Sequence, residues 1–210
     1  MPLFVEEFQK RLPKGMGVLS HAKILDAGCG NCRNTVWLSR RLPRAYIHCC
    51  DISEGMLHSA SKNVAGACKA HSCTIRRADI TNLHYPTALF DAVLCTAVLH
   101  HIPDKKGWVR ALSEIRRVLK PAGFAFITVW NKQNTKPGTD RDVDFPTKKG
   151  NNVPRFYHFF TKHELDAAAK ASGLVVIDTF LEAGGKRTVK GNKKARNLCF
   201  VLQKQQRQRK

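Results

Sequence analysis

From residue 23 to residue 130 the chain alternates short apolar runs with helix-like stretches, and few architectures satisfy that alternation. The runs Lys23 to Ala27, Ala45 to Cys50, Ser72 to Arg77, Ala88 to Thr96 and Phe124 to Trp130 read as strands. Between them, Arg33 to Leu42 reads as a helix closed by Pro43. A second helix starts at Ser53, a suitable N-cap, with Met56, Leu57, Ala60 and Val64 as its apolar stripe. A third, Lys105 to Leu119, carries Trp108, Leu112, Ile115, Val118 and Leu119 at helical spacing and stops before Pro121. Strands separated by helices form βαβ units, so an α/β fold with a parallel sheet covered on both faces is expected. Such a sheet binds ligands beyond the carboxyl ends of its strands.

After Trp130 the chain changes character. Asn131 to Pro154 is polar and rich in Gly, Pro and Lys, and at about 24 residues it is long enough to expect a functional loop. Thr161 caps a helix running through Ser172. Leu174 to Leu181 and Asn197 to Gln203 are β-rich and joined by Ala183 to Arg196, which predicts an antiparallel C-terminal hairpin. Five strands and this hairpin give a central seven-stranded, mostly parallel sheet. The expected organisation is an N-terminal segment 1–22, one domain 23–203 with loop 131–154 as a substrate lid, and a basic tail 204–210.

Charge adds a partner class. Against 36 Lys and Arg stand 16 Asp and Glu, a net +20, and Ala183 to Lys210 holds ten basic residues and no acidic one. That density attracts a polyanion, for which RNA or DNA is the expected chemistry. A solubilising tail or a nuclear address is the plainer alternative, and an anionic membrane surface is weaker because no amphipathic helix accompanies the charge. No apolar run reaches the roughly 18 residues of a membrane span, and the first residues lack an apolar signal core. A soluble intracellular chain without membrane attachment is expected, cytoplasmic first and nuclear second. Its eight cysteines are then expected as reduced thiols, five of them (Cys49, Cys50, Cys73, Cys95, Cys199) in apolar runs. Cys29-Gly30-Asn31-Cys32, followed by Cys49-Cys50, also has zinc or redox spacing. The glycine turn that contains it has its own explanation, so no metal site is expected.

That turn is the most informative segment. In Ile24-Leu25-Asp26-Ala27-Gly28-Cys29-Gly30-Asn31 a strand feeds glycines and then a helix, so backbone can approach a ligand and free N–H groups face it. Acids recur at strand ends: Asp26, Asp51 and Asp79. A carboxylate after the second strand is placed to hold ribose hydroxyls. Arg33 stands where the dinucleotide pattern needs its third glycine, which disfavours a dehydrogenase.

Together with Ile80 and Leu119-Lys120-Pro121-Ala122-Gly123, these residues resemble the Rossmann-like class I S-adenosylmethionine-dependent methyltransferases. The resemblance implies S-adenosyl-L-methionine as cofactor. Gly28, Cys29, Gly30 and Asn31 would lie against its methionine moiety, Asp51 hold the ribose, Ile52 and Met56 flank adenine, and Asp79 and Ile80 read its edge, with Asp26, Thr96 and Ala97 completing the site. Ala97-Val98-Leu99-His100-His101-Ile102, Thr128-Val129-Trp130, Arg141-Asp142-Val143-Asp144-Phe145-Pro146 and Arg155-Phe156-Tyr157-His158-Phe159-Phe160 resemble a narrower group, the eukaryotic wobble-uridine tRNA methyltransferases. These esterify a carboxymethyl group on uridine 34, and a similar domain is fused to an AlkB-type dioxygenase in animals. The chain departs from that group at Cys32, where Gly is usual, and at Thr147, where Trp is. It also shows no Tyr- and Arg-containing N-terminal helix that would close over the cofactor.

The resemblance implies His101, Arg155, Tyr157 and His158 as catalytic candidates. Arg155 is placed first because its planar fork pairs bidentately with a carboxylate. For His100 or His101 the plainer role is capping the fourth strand, for His158 a core contact, and for Phe156, Phe159 and Phe160 packing. The anticodon stem-loop of tRNA is the implied substrate, gripped by Lys186, Arg187, Lys190, Lys193 and Lys194 and by loop residues Lys132, Lys136, Arg141, Lys148 and Lys149. A small zinc-binding methyltransferase activator subunit is the implied partner. A small-molecule methyltransferase of the same fold and a catalytically inactive RNA-binding subunit are the competing functions.

Overall fold

A computed structural model describes residues 3–11, 21–68, 72–131, 138–146, 152–188 and 194–206. Thr147, the basic residues Lys132, Lys136, Lys148, Lys149, Lys190 and Lys193, and tail residues 207–210 lie outside them. The elements run α1 (Leu3–Arg11), β1 (Lys23–Ala27), α2 (Arg33–Arg41), β2 (Tyr46–Asp51), α3 (Glu54–Ala65), β3 (Cys73–Arg77) and β4 (Phe90–Thr96). A short 3-10 turn, Leu99–His101, leads to α4 (Lys105–Val118), β5 (Leu119–Trp130), β6 (Thr139–Pro146) and β7 (Asn152–Phe159). Then follow α5 (Lys162–Ser172), β8 (Val175–Ala183), β9 (Lys186–Thr188) and β10 (Asn197–Gln203).

The main sheet has the order β3-β2-β1-β4-β5-β10-β8-β9. Its first five strands are parallel, and β10, β8 and β9 are antiparallel. Burial on both faces explains the apolar runs: Ile24 to Ala27 in β1, interrupted only by Asp26, and Ala92 to Cys95 in β4 are all buried. The chain reverses direction across the sheet between β1 and β4, which opens a crevice there.

The sheet holds eight strands where seven are expected. The extra one is β9, which closes on β8 through Gly184-Gly185, both at positive φ (58° and 80°), as a tight two-residue hairpin requires. Residues 131–154 are not one loop. Thr139–Pro146 pairs antiparallel with Asn152–Phe159 as a separate two-stranded sheet, in register from Thr139↔Phe159 to Pro146↔Asn152. Their polar composition hides the pairing, because its cross-strand contacts are aromatic and cationic: Phe145 stacks on Tyr157 at 5.9 Å and Arg155 lies 4.6 Å over the Phe145 ring. Pro121 does not separate helix from strand. β5 begins at Leu119 and accommodates the proline beside a register shift opposite β4.

The caps form at the expected residues. Ser53 Oγ accepts from Met56 N–H, and Thr161 with Glu164 makes a reciprocal capping box. The N-terminal segment does contain a helix. Phe4 and Phe8 of α1 pack on Phe126 and Phe124 of β5 at 6.4 and 5.1 Å. Glu7, fully buried, accepts from Arg187 of β9 at 2.8 Å, and Arg187 also bonds Asp178 at 2.7 Å. Arg187, expected to grip RNA, is thus paired with two carboxylates while its side chain stays 39% exposed. The cysteines also differ from eight free thiols: Cys68, three residues beyond α3, and Cys73 at the start of β3 form a disulfide. Their Cα atoms lie 6.2 Å apart, within the span of a disulfide.

Candidate active site

Beyond the carboxyl ends of β1, β2, β4 and β5 lies a cavity of about 1490 Å³. Its floor is the glycine turn. Gly28 has φ +73°, and a Cβ there would sit 2.3 Å from Val98 Cγ2, so only glycine lets the turn pass under Val98. Gly30, at φ +54°, donates its N–H to Asp51 Oδ2 at 2.8 Å. The other Asp51 oxygen accepts from Ser53 N–H at 2.9 Å, so the carboxylate is held by backbone following both β1 and β2. Asp79 accepts from the backbone and hydroxyl of Thr81 at 2.8 and 2.9 Å, which fixes a turn beside Ile80.

Gly28, Cys29, Gly30, Asn31, Asp51, Ile52, Met56, Asp79, Ile80, Thr96 and Ala97 all line the cavity. Ile52 is 60% exposed and Met56 38%, an apolar clamp left open to a flat ring. Asp26 is not on the wall. It lies buried beneath the turn, accepts from Thr35 Oγ1 at 2.6 Å, and burial raises its pKa from 3.8 to about 7. Ala97, at φ +58°, donates its N–H to the Thr128 carbonyl at 2.9 Å, tying the end of β4 to β5. Cys32, at φ +61°, takes the left-handed N-cap position of α2, which accounts for glycine being usual there.

The other half of the cavity is aromatic and cationic, lined by Phe126, Trp130, Phe156, His101, Arg155 and Lys186. His101 Nδ1 donates to the Phe156 carbonyl at 2.9 Å, which leaves Nε2 as the unprotonated nitrogen of a neutral ring. Burial and the Arg155 charge lower its pKa. The two adjacent histidines divide their roles. His100 is buried against Trp130 and Tyr157, accepts from Trp130 N–H at 3.2 Å, and burial lowers its pKa to about 3. Tyr157 and His158 lie off the wall. Tyr157 is stacked between Trp130 and Phe145, and His158 bonds Asp140 at 2.6 Å and packs on Trp108 and Phe160. Among the described residues no cluster of three or more His, Cys, Asp or Glu side chains is arranged to hold a metal ion.

Several wall residues carry no sequence motif. Asn34 bonds Thr96 Oγ1 at 2.7 Å and joins α2 to β4. Leu3 and Phe4 bring α1 to the cavity rim; the i, i+4 spacing of Phe4 and Phe8 is the signal for that helix. The turn Gly184–Lys186 closes the far side.

This geometry fits S-adenosyl-L-methionine: a glycine cradle a Cβ would fill, a preset carboxylate for a diol, and an open apolar clamp for a purine. Residues 24–123 match a family model described as a methyltransferase domain. A tRNA (carboxymethyluridine(34)-5-O)-methyltransferase of Arabidopsis thaliana is 35% identical over 126 residues, 60% of this chain and 27% of that protein. The homonymous enzyme of Xenopus tropicalis is 28% identical over 126 residues, 60% of this chain and 17% of that protein. The chain thus spans about a quarter or less of these two relatives. Among solved structures, an S-adenosylmethionine-dependent methyltransferase of Methanosarcina mazei superposes with TM-score 0.72 at 20% identity, covering 89% of this chain and 94% of that one.

Proposed function

We propose that this chain, which has the fold of the class I S-adenosylmethionine-dependent methyltransferases and a cavity that fits their cofactor, is such an enzyme and esterifies the carboxyl group of 5-carboxymethyluridine at the tRNA wobble position. The observation that carries this reading is the pairing of Arg155 with His101 on an aromatic wall facing the glycine turn. The likeness to two proteins named for that reaction supports it.

When bound, S-adenosylmethionine supplies an electrophilic methyl group on a sulfonium centre. The chain's task toward the acceptor is positioning. A carboxyl group with a pKa near ~4 is ionised at neutral pH, so no strong general base is needed. Arg155, braced over the Phe145 ring, offers a bidentate fork to the carboxylate. The unprotonated Nε2 of neutral His101 adds no competing positive charge beside it. Trp130 and Phe156 exclude water and present flat surface to a uracil ring. Tyr157 and His158 act behind them as positioning residues: Tyr157 contacts Arg155, and His158 ties β6 to α5 through Asp140 and Glu164.

The anticodon stem-loop is the proposed RNA element, with Lys186 at the cavity rim as one basic contact. A small zinc-binding activator subunit is the proposed partner, and β3, the edge strand among the described residues, is the proposed place for an added strand. Cytoplasm and nucleus are the proposed compartments. Nucleoside mass spectrometry of tRNA from cells lacking this protein tests the reading. Carboxymethyluridine is expected to accumulate in place of its ester, and an unchanged ester level refutes it. Arg155→Ala should remove esterification by the purified chain, with its activator subunit present, while cofactor binding is retained.

A further inference from the structure

Methyl transfer leaves one tryptophan of the cavity wall without a task. Trp108 and Trp130 pack against other rings, and Trp108 also gives its indole N–H to the Ile102 carbonyl at 2.8 Å. Trp37 of α2 lines the cavity and is 38% exposed, and among the described residues it makes neither a ring contact nor an indole hydrogen bond. Helical side chains lean toward the helix N-terminus, so Trp37 reaches back one turn toward Arg33, its i−4 neighbour, and both meet the cavity at the α2 rim.

Arg33 is exposed, and so is Arg110 of α4, which lines the same cavity. Neither guanidinium has a carboxylate partner among the described residues, whereas the wall acids Asp51, Asp79, Asp104 and Glu182 each accept N–H bonds. β1 sends Ile24 into the core that holds Leu38 of α2, and Leu25 into the core that holds Leu112 of α4. Successive strand residues face opposite sides, so Arg33 and Arg110 flank the mouth from opposite faces of the sheet. The cavity's volume of about 1490 Å³ also exceeds the roughly 300–1,000 Å³ of a site for one small ligand.

We infer that Arg33, Trp37 and Arg110 form a second binding site at the mouth, for single-stranded RNA on either side of the target uridine. This rests on the acceptor being a nucleotide of such RNA. The strand crosses the mouth between α2 and α4 with the target uridine turned into the cavity. Arg33 and Arg110 pair with phosphates to either side, and a neighbouring base stacks on the Trp37 indole. A flat ring suits any unstacked base, whereas a base held within a duplex has no free face to offer it. Phosphate contacts fix the register of the strand, so they decide which nucleotide is turned in.

The test measures binding of a fluorescently labelled oligouridylate to the full chain saturated with S-adenosylhomocysteine, with duplex RNA of the same length in parallel. Trp37→Ala is expected to weaken single-strand binding about tenfold or more (~1.4 kcal/mol) and duplex binding hardly at all. Trp37→Phe keeps a ring and should retain most of the affinity, which keeps the inference testable if the alanine variant folds poorly. Arg33→Ala and Arg110→Ala should each lower the slope of log affinity against log salt concentration by about 0.7, one phosphate contact apiece, with S-adenosylhomocysteine affinity unchanged. Unchanged single-strand binding in Trp37→Ala, equal losses with alanine and phenylalanine, or an equal loss for the duplex overturns the inference. So does a fall in S-adenosylhomocysteine affinity with Arg33→Ala, which would assign that guanidinium to the cofactor's carboxylate. The assay involves no methyl transfer, so a chain that binds the strand through Trp37 but esterifies nothing refutes the proposed reaction and leaves this site standing.

Discussion

Replacing Gly28 with alanine separates two physical costs within the cofactor turn. Its backbone sits at φ +73°, and the new Cβ would meet Val98 Cγ2 at 2.3 Å and Cγ1 at 3.0 Å. Left-handed backbone costs an L-residue about 1–2 kcal/mol. Pressing a methyl group into a β-branched side chain stiff at χ1 adds about 1–3 kcal/mol. The expected loss is therefore about 2–5 kcal/mol, with loss of cofactor binding because the turn must move. Gly30→Ala is the control: at φ +54° its Cβ meets only the terminal Met56 Cε, at 3.1 Å, so the backbone cost of about 1–2 kcal/mol dominates. Val98→Ala in the Gly28→Ala background removes the collision, and a double-mutant cycle should return most of the steric part. Urea unfolding followed by circular dichroism, with calorimetry using S-adenosylhomocysteine, measures both quantities. Equal destabilisation by Gly28→Ala and Gly30→Ala, or no recovery with Val98→Ala, would refute the reasoning.

Asp51→Ala removes the acceptor that holds Gly30 and Ser53; at about 1.5–3 kcal/mol for a charged hydrogen bond, cofactor affinity should fall about 10- to 100-fold, read by calorimetry. The pH dependence of stability should show two opposed titrations. Asp26 has its folded pKa raised from 3.8 to about 7, so its contribution is full below about 4 and lost as pH rises toward 7. His100 has its folded pKa lowered from 6.5 to about 3, so its contribution is present above 6.5 and lost as pH falls toward 3. Between about 4 and 6.5 the two nearly cancel, and Asp26→Asn should expose a stability rising by up to ~1.4 kcal/mol per pH unit, measured by denaturation at stepped pH. A flat profile in that variant would contradict the burial of His100. Arg187→Ala should destabilise the chain by about 1–3 kcal/mol, because buried Glu7 loses a charged partner, whereas Lys186→Ala should weaken tRNA binding with little change in stability. Equal effects of the two variants on tRNA affinity would return Arg187 to the RNA surface.

The sequence by itself determined the parts of this protein that depend on local spacing. Alternating apolar runs specify parallel strands, the glycines after β1 specify a turn that backbone must negotiate, and Ser53 and Thr161 cap their helices through bonds only three residues long. The acids Asp51 and Asp79 are legible because a strand end has a fixed place in such a sheet. Tertiary structure alone decided between neighbours with the same chemistry. It turned His101 to the cavity and buried His100, put Arg155 on the wall and set Tyr157 and His158 behind it, and assigned Arg187 to Glu7, 180 positions away. It also built α1 into the rim and paired β6 with β7. Each of these depends on which face a side chain presents once distant strands have paired. Local periodicity fixes an element's type but not the partner its face meets, because burial and cross-strand contacts arise only when the sheet has closed.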